Sequence, residues 1–211
     1  MLVDEYRVAP EKNHWYVASM HHWDNGHEGD EVKPRDGSEI HWVENRGKSV
    51  YENAYLALSK GEIDALGVTE NQLRHIQGDK RIKKVFENYK EAEASYYKKT
   101  GMFHIMHVIV LRKSLVEQHP DLPGKLFELF SKSKEWALEW LRLIPSHGIV
   151  WKNHYLEEER EIFKGDPWAY GLEKNRHVID KFLSYCYGQG VSERELTPED
   201  IFVPSTWDLK E

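Results

Sequence analysis

Apolar and polar positions change their spacing along the 211-residue chain, and each change predicts a different element. Residues 13–20 and 38–43 are short runs rich in Trp, Tyr and Val, which predicts strands, and a polar loop with Gly26, Gly29 and Pro34 separates them. From 50 to 60 the side chains Tyr51, Ala54, Tyr55 and Leu58 recur at the spacing of one helix face, and Gly61 is placed to stop that helix. "EIDALGV", residues 62–68, predicts another strand. The highly charged stretch 78–99 is mostly helical in pattern and leads through Tyr96 and Tyr97 to Thr100 and Gly101. After it, "GMFHIMHVIVLRK", residues 101–113, holds the continuous apolar run Val108, Ile109, Val110 and Leu111 and predicts a buried strand.

The second half is helical. In "DLPGKLFELFSKSKEWALEWLRLI" the residues Leu126, Phe127, Phe130, Lys134, Ala137, Leu138 and Leu141 fall close to one stripe, with Pro123 suited to the first turn. Further helices are expected over 155–163 and 172–187, the latter ended by Gly188 and Gly190. In "LTPEDIF" Thr197 stands at the N-cap, Pro198 at the first helical position and Asp200 three residues after the cap. A mixed sheet giving way to a helical wrap is an α/β pattern, whose binding sites lie at the carboxyl ends of strands. Thr69 and Asn71 follow the expected 62–68 strand at such a place.

Composition narrows the class. With 8 Trp, 11 Tyr and 7 Phe the chain can bury a core, as one large domain or two small lobes, despite a mean hydropathy of -0.72. The formal net charge is -7 and the basic residues are scattered, so neither nucleic acid nor a membrane surface is an expected partner, and a small ligand is. The one cysteine, Cys186, forms no internal disulfide, the N-terminus lacks the pattern of a secretory signal, and no segment reaches transmembrane length. A cytoplasmic location is the expectation.

No Gly-rich phosphate fingerprint, phosphate-loop lysine motif, His-Glu-x-x-His or paired Cys-x-x-Cys is present, so no metal and no cofactor is expected. "MHHWDNGHEGDE" offers His21, His22, Asp24, His27 and Glu28, but these crowd one loop and read as a solvated acidic segment. His104 and His107 differ by position, at the start of the expected 101–113 strand. Three residues apart on a strand they point to opposite faces and do not act as a pair. A histidine there is more often a hydrogen-bonded structural residue, yet it can also carry a proton near neutral pH. "GDPWAYGLEKNR", residues 165–176, reads as a helix-start turn with an apolar anchor, leaving Asn175 and Arg176 on the helix facing solvent.

Three segments in order, "YYKKTGMFHIMHVIVLRKSLVEQHPDL", "GDPWAYGLEKNRHVIDKFLSY" and "LTPEDIFVPSTWD", resemble the 4,5-dihydroxyphthalate decarboxylase family. The resemblance implies a type 2 periplasmic-binding-protein-like fold, two α/β lobes around a cleft. Residues 1–100 would form the second α/β lobe, and 101–211 the returning part of an incomplete first lobe with the C-terminal helices. It also implies that a domain-sized stretch of roughly a hundred residues precedes the matching region in the family. Exposed strand edges would then favour a homo-oligomer.

The implied reaction is non-oxidative loss of carbon dioxide from an aromatic carboxylate such as 4,5-dihydroxyphthalate, giving protocatechuate and requiring no redox cofactor. In that reading His107 is the proton donor and His104 the second candidate, Arg74 and Arg112 hold a carboxylate, Tyr96 binds a phenolic hydroxyl, and Thr69 and Asn71 line the rim. After "IDAL" the family commonly continues with small residues and Arg-Pro, where this chain has Gly67, Val68, Thr69, Glu70 and Asn71. The rival reading is a non-catalytic solute-binding module for a small carboxylate.

Overall fold

The computed structural model of the chain describes residues 2–18, 34–35, 37–69, 78–143 and 149–211. They fall into two compact units, Met1–Glu87 with Cys186–Glu193, and Asn88–Tyr185 with Arg194–Glu211.

In the first unit a short helix α1 (Leu2–Tyr6) and a 3-10 turn (Pro10–Lys12) lead into β1 (His14–Val17), which pairs in parallel with β2 (Glu39–Trp42). Both strands lie where their aromatic and β-branched composition predicts them. The register sets His14 opposite Glu39, Trp15 opposite Ile40, Tyr16 opposite His41 and Val17 opposite Trp42. Helix α2 (Val50–Ser59) begins at Ser49, whose hydroxyl accepts the Glu52 N–H while the Glu52 carboxylate accepts the Ser49 N–H, satisfying two donors the helix itself leaves open. Its inner face buries Ala54 and Ala57. Asn53 is fully buried on that face, accepts the Arg46 N–H and donates to Lys48 O, so its side chain ties the preceding loop to the helix. Gly61 ends the turn at φ 73°, as the sequence predicts. Arg35 joins 186–193 to this unit, donating to Ser192 O and Glu193 O with its guanidinium 4.4 Å over the Tyr187 ring.

Two expectations fail here. Residues 62–68 form no strand; Glu62 N donates back to Ala57 O and its carboxylate accepts from Arg46, so the start of the stretch is held by the end of α2. Residues 78–88 are turns rather than helix. The Asp79 carboxylate accepts the Arg81 N–H and the Tyr55 hydroxyl, a local alternative to helical hydrogen bonding.

The second unit comprises α3 (Tyr89–Thr100), α4 (Lys113–Gln118), α5 (Leu122–Leu143), α6 (Lys152–Phe163), most of α7 (Leu172–Gly188), α8 (Pro198–Ile201) and a 3-10 turn (Pro204–Thr206). Its core forms on one face of α7, where Leu172, Ile179 and Leu183 pack against Leu196, Phe202 and Trp207. The Trp207 indole N–H donates to Phe202 O, satisfying its polar end beside the apolar cluster. At α8 the Asp200 carboxylate accepts the N–H and hydroxyl of Thr197, as the spacing predicts. Along α5 Pro123 is buried and Leu126, Phe127, Lys134 and Leu138 are half-buried, but Phe130, Ala137 and Leu141 of the expected stripe are exposed.

The expected strand over 101–113 is absent: residues 101–112 carry no ladder, and 113 already opens α4. Apolar composition supplies β propensity, while a strand needs a partner, and none of the described residues pairs with this segment. Ile105, Met106, Val108, Ile109 and Val110 are all exposed.

Candidate functional site

The end of α3 positions the first group of expected site residues. Gly101 adopts φ 67° and donates its N–H to Tyr97 O, closing the helix as a left-handed C-cap. Thr100 Oγ1 donates to Tyr96 O and accepts from Met102 N, while the Tyr96 hydroxyl donates to Met102 Sδ at 3.6 Å. The folded-back turn brings the Tyr96 and His104 rings to 6.2 Å, tilted by 30°. Tyr96 is half-buried and His104 exposed, so this is an aromatic shelf with one polar edge in solvent.

The remaining expected residues are not drawn into that shelf. His107 is exposed and makes no hydrogen bond, ion pair or ring contact among the described residues. Arg112 occupies the N-cap position of α4 with an exposed side chain that makes no capping bond. Thr69 is exposed and belongs to the first unit, whereas Tyr96, His104, His107 and Arg112 belong to the second. Asn71 and Arg74 lie outside the described residues, as do His21, His22, Asp24, His27 and Glu28.

Beneath the shelf an aromatic ladder holds the turn. Phe103 meets Phe163 edge-on at 5.3 Å and Trp168 at 4.7 Å, Tyr97 meets Phe163 at 4.7 Å, and the Tyr97 hydroxyl donates to Phe163 O. His177 Nε2 lies 3.0 Å from Gly101 O, which places a hydrogen on Nε2 because a carbonyl only accepts.

The "GDPWAYGLEKNR" segment is built into this scaffold. Asp166 Oδ1 accepts the Trp168 N–H and Oδ2 accepts Lys134 Nζ at 2.6 Å. Lys134 also donates to Trp168 O and to the Glu211 carboxylate, and it lies 4.4 Å over the Tyr170 ring. Burial pulls the Lys134 ammonium down, but the hydrogen bonds it donates to Asp166 and Glu211 outweigh it and hold the group above the ordinary lysine range. Asn175 and Arg176 do not face solvent freely as expected. Both are half-buried; Asn175 donates to Ala169 O and Gly171 O, and Arg176 pairs with Glu199 at 2.5 Å. Lys134 is thus a satisfied structural cation rather than part of an apolar stripe.

Sequence reasoning missed a recess of about 450 Å³ in the same unit, lined by Lys90, Trp151, His154, Tyr155 and Glu158. Lys90 donates to the Glu158 carboxylate and sits 5.5 Å over the Tyr155 ring. The Lys90 hydrogen bond holds the Glu158 carboxyl below its usual range against the opposing effect of burial. The spacing of Trp151, His154, Tyr155 and Glu158 along one helix face was a legible signal, whereas the approach of α3 to α6 was not. An aromatic ring can lie against these walls, although the recess cation is already matched by Glu158.

No protein-family model matches the chain. Over 153 residues, 71% of its length, the chain is 35% identical to a decarboxylase. That protein is the 4,5-dihydroxyphthalate decarboxylase of Comamonas testosteroni, of which the match covers 46%, so the chain spans about half the length of this curated relative. The chain is a partial-length relative of that enzyme, in accord with the resemblance of its three segments. No helix among the described residues is long and apolar enough to cross a membrane.

Proposed function

We propose that this chain takes part in the non-oxidative decarboxylation of an aromatic carboxylate, with 4,5-dihydroxyphthalate as substrate and protocatechuate as product. The observation that carries the reading is the 35% identity over 153 residues to an enzyme named for that reaction. The two-lobed binding-protein-like fold, with Thr69, Asn71 and Arg74 among its substrate-binding residues, is part of the same proposal.

In the proposed reaction a proton is added to the ring carbon that bears the leaving carboxylate, while the hydroxyl para to it donates electron density. The carbon–carbon bond then breaks, its electron pair restores the aromatic ring, and carbon dioxide departs. His107 supplies the proton from its imidazolium form and afterwards regains one from water. Its exposed side chain is open to a ligand, and His104 beside Tyr96 is the second candidate. Arg112 presents an exposed guanidinium able to engage a carboxylate in bidentate fashion. The Tyr96 hydroxyl, now given to the weak acceptor Met102 Sδ, can turn to a phenolic oxygen.

Incubating the purified chain with 4,5-dihydroxyphthalate and following protocatechuate by chromatography tests this, with the product of any longer natural reading frame assayed alongside. Protocatechuate from either form is the expected result. Saturable binding without product from both forms would replace this reading with that of a solute-binding module, and neither binding nor product would remove the substrate assignment.

A further inference from the structure

The parallel pairing of β1 with β2 assembles a second group of chemically capable side chains, in the first unit and unrelated to the proposed proton donor. His14 faces Glu39 across the pair and Tyr16 faces His41. Because strand side chains alternate, His14 and Tyr16 share one face of β1, and Glu39 and His41 share one face of β2. Glu39 Oε2 lies 3.9 Å from His14 Nδ1 and 3.5 Å from His41 Nε2, and one donor atom from each residue lies within 4.8 Å of the other two. The two imidazole rings are 5.7 Å apart.

A second observation singles out His41. Its Nε2 is shielded from solvent yet has no hydrogen-bond partner among the described residues, while the Tyr16 ring packs 5.1 Å away and limits where the imidazole can turn. A shielded polar atom without a hydrogen bond costs free energy unless something satisfies it. Here the unsatisfied atom points toward a carboxylate and a second imidazole.

We propose that His14, Glu39 and His41 form a three-ligand site for a divalent first-row transition metal of the zinc class. Two imidazole nitrogens and one carboxylate oxygen are the donors such ions favour, and three protein ligands leave a coordination position for water. Donors held about 2.0–2.1 Å from a tetrahedral ion stand roughly 3.3 Å apart, so modest side-chain rotation closes the present spacing. The backbone positions come from two hydrogen-bonded strands. This departs from the expectation that the chain binds no metal, and no step of the proposed decarboxylation passes through the site.

The test is calorimetric titration of zinc chloride into the chelator-treated full chain, with visible absorption of the cobalt-substituted protein as a second readout. About one equivalent is expected at micromolar affinity, with the d–d bands of a low-symmetry nitrogen–oxygen site. His14→Gln, Glu39→Gln and His41→Gln should each weaken binding by about tenfold or more, with circular dichroism melts confirming that they fold. Glu39 is exposed, so Glu39→Gln keeps the test valid even if His41→Gln disturbs the strand. A His21→Gln/His22→Gln/His27→Gln variant should bind as the parent does. No zinc uptake by the parent at about 100 µM would overturn the proposal, as would full affinity in all three folded strand variants.

Discussion

Lys134 Nζ donates to Asp166 Oδ2 across 2.6 Å, joining the long helix α5 to the turn that precedes α7. The same ammonium serves Glu211, whose carboxylate also accepts the Tyr170 N–H. One cation therefore gathers three stretches of chain that are distant in sequence.

Lys134→Met should cost about 1–3 kcal/mol, between the values for exposed and fully buried pairs, because it leaves the Asp166 and Glu211 carboxylates without their shared cation. The shift in urea midpoint measures this. The folded ammonium titrates above the ordinary value of 10.5, so its stabilisation is complete below that pH and is lost as pH rises through the folded value. The parent should lose its advantage over Lys134→Met only above about pH 10.5. A constant difference from neutral pH through that alkaline range would contradict the assignment.

Asp200 yields an acid-side counterpart. The Arg194 guanidinium, followed by the N–H and hydroxyl of Thr197, holds its carboxyl far below the usual range. A depressed carboxylate contributes stability above its unfolded value of about 3.9, and that contribution is lost as pH falls through the folded value. The stability difference between the parent and Asp200→Asn should be constant near neutrality and shrink below about pH 4, as read from thermal melts.

Gly171 occupies φ 106°, and a Cβ built there would approach Leu209 O to 2.7 Å. Gly171→Ala combines backbone strain with a contact against main chain, so a loss of at least about 1–3 kcal/mol is expected in urea unfolding. Gly165→Ala, where a Cβ meets nothing within 4 Å and no positive φ applies, is the control and should change stability by less than about 0.5 kcal/mol.

If His107 donates the proton, His107→Ala should lower kcat by about 10²–10⁴ while substrate affinity stays near that of the parent. Single-turnover measurement separates the two effects. Equal turnover by the variant would reassign the role, with His104→Ala the next to compare.

The apolar side chains of 105–110 bear on association. Val110 is 83% exposed and Ile109 64%, and neither belongs to a strand pair. Sedimentation velocity should show concentration-dependent association of the parent, reduced in Val108→Lys/Val110→Lys. A monomeric parent across the accessible concentrations would show that the exposed run does not drive self-association.

What the sequence determined by itself is mostly local. Gly61, and Thr197 with Asp200, mark helix ends through contacts a few residues apart, and α7 follows from its apolar period. The two strands are likewise recognisable from composition, and the three matching segments point to the decarboxylase relative. Tertiary structure decided what each element meets. Lys134 falls in an apolar stripe by periodicity, yet becomes a shared cation because Asp166 and Glu211 converge on it. Glu39 and His41 share a face by strand alternation, but His14 joins them only through the β1–β2 register, which no local spacing encodes. The apolar run at 108–111 has no strand partner among the described residues because hydrophobicity favours a strand, while hydrogen-bonded pairing depends on a second segment brought alongside it.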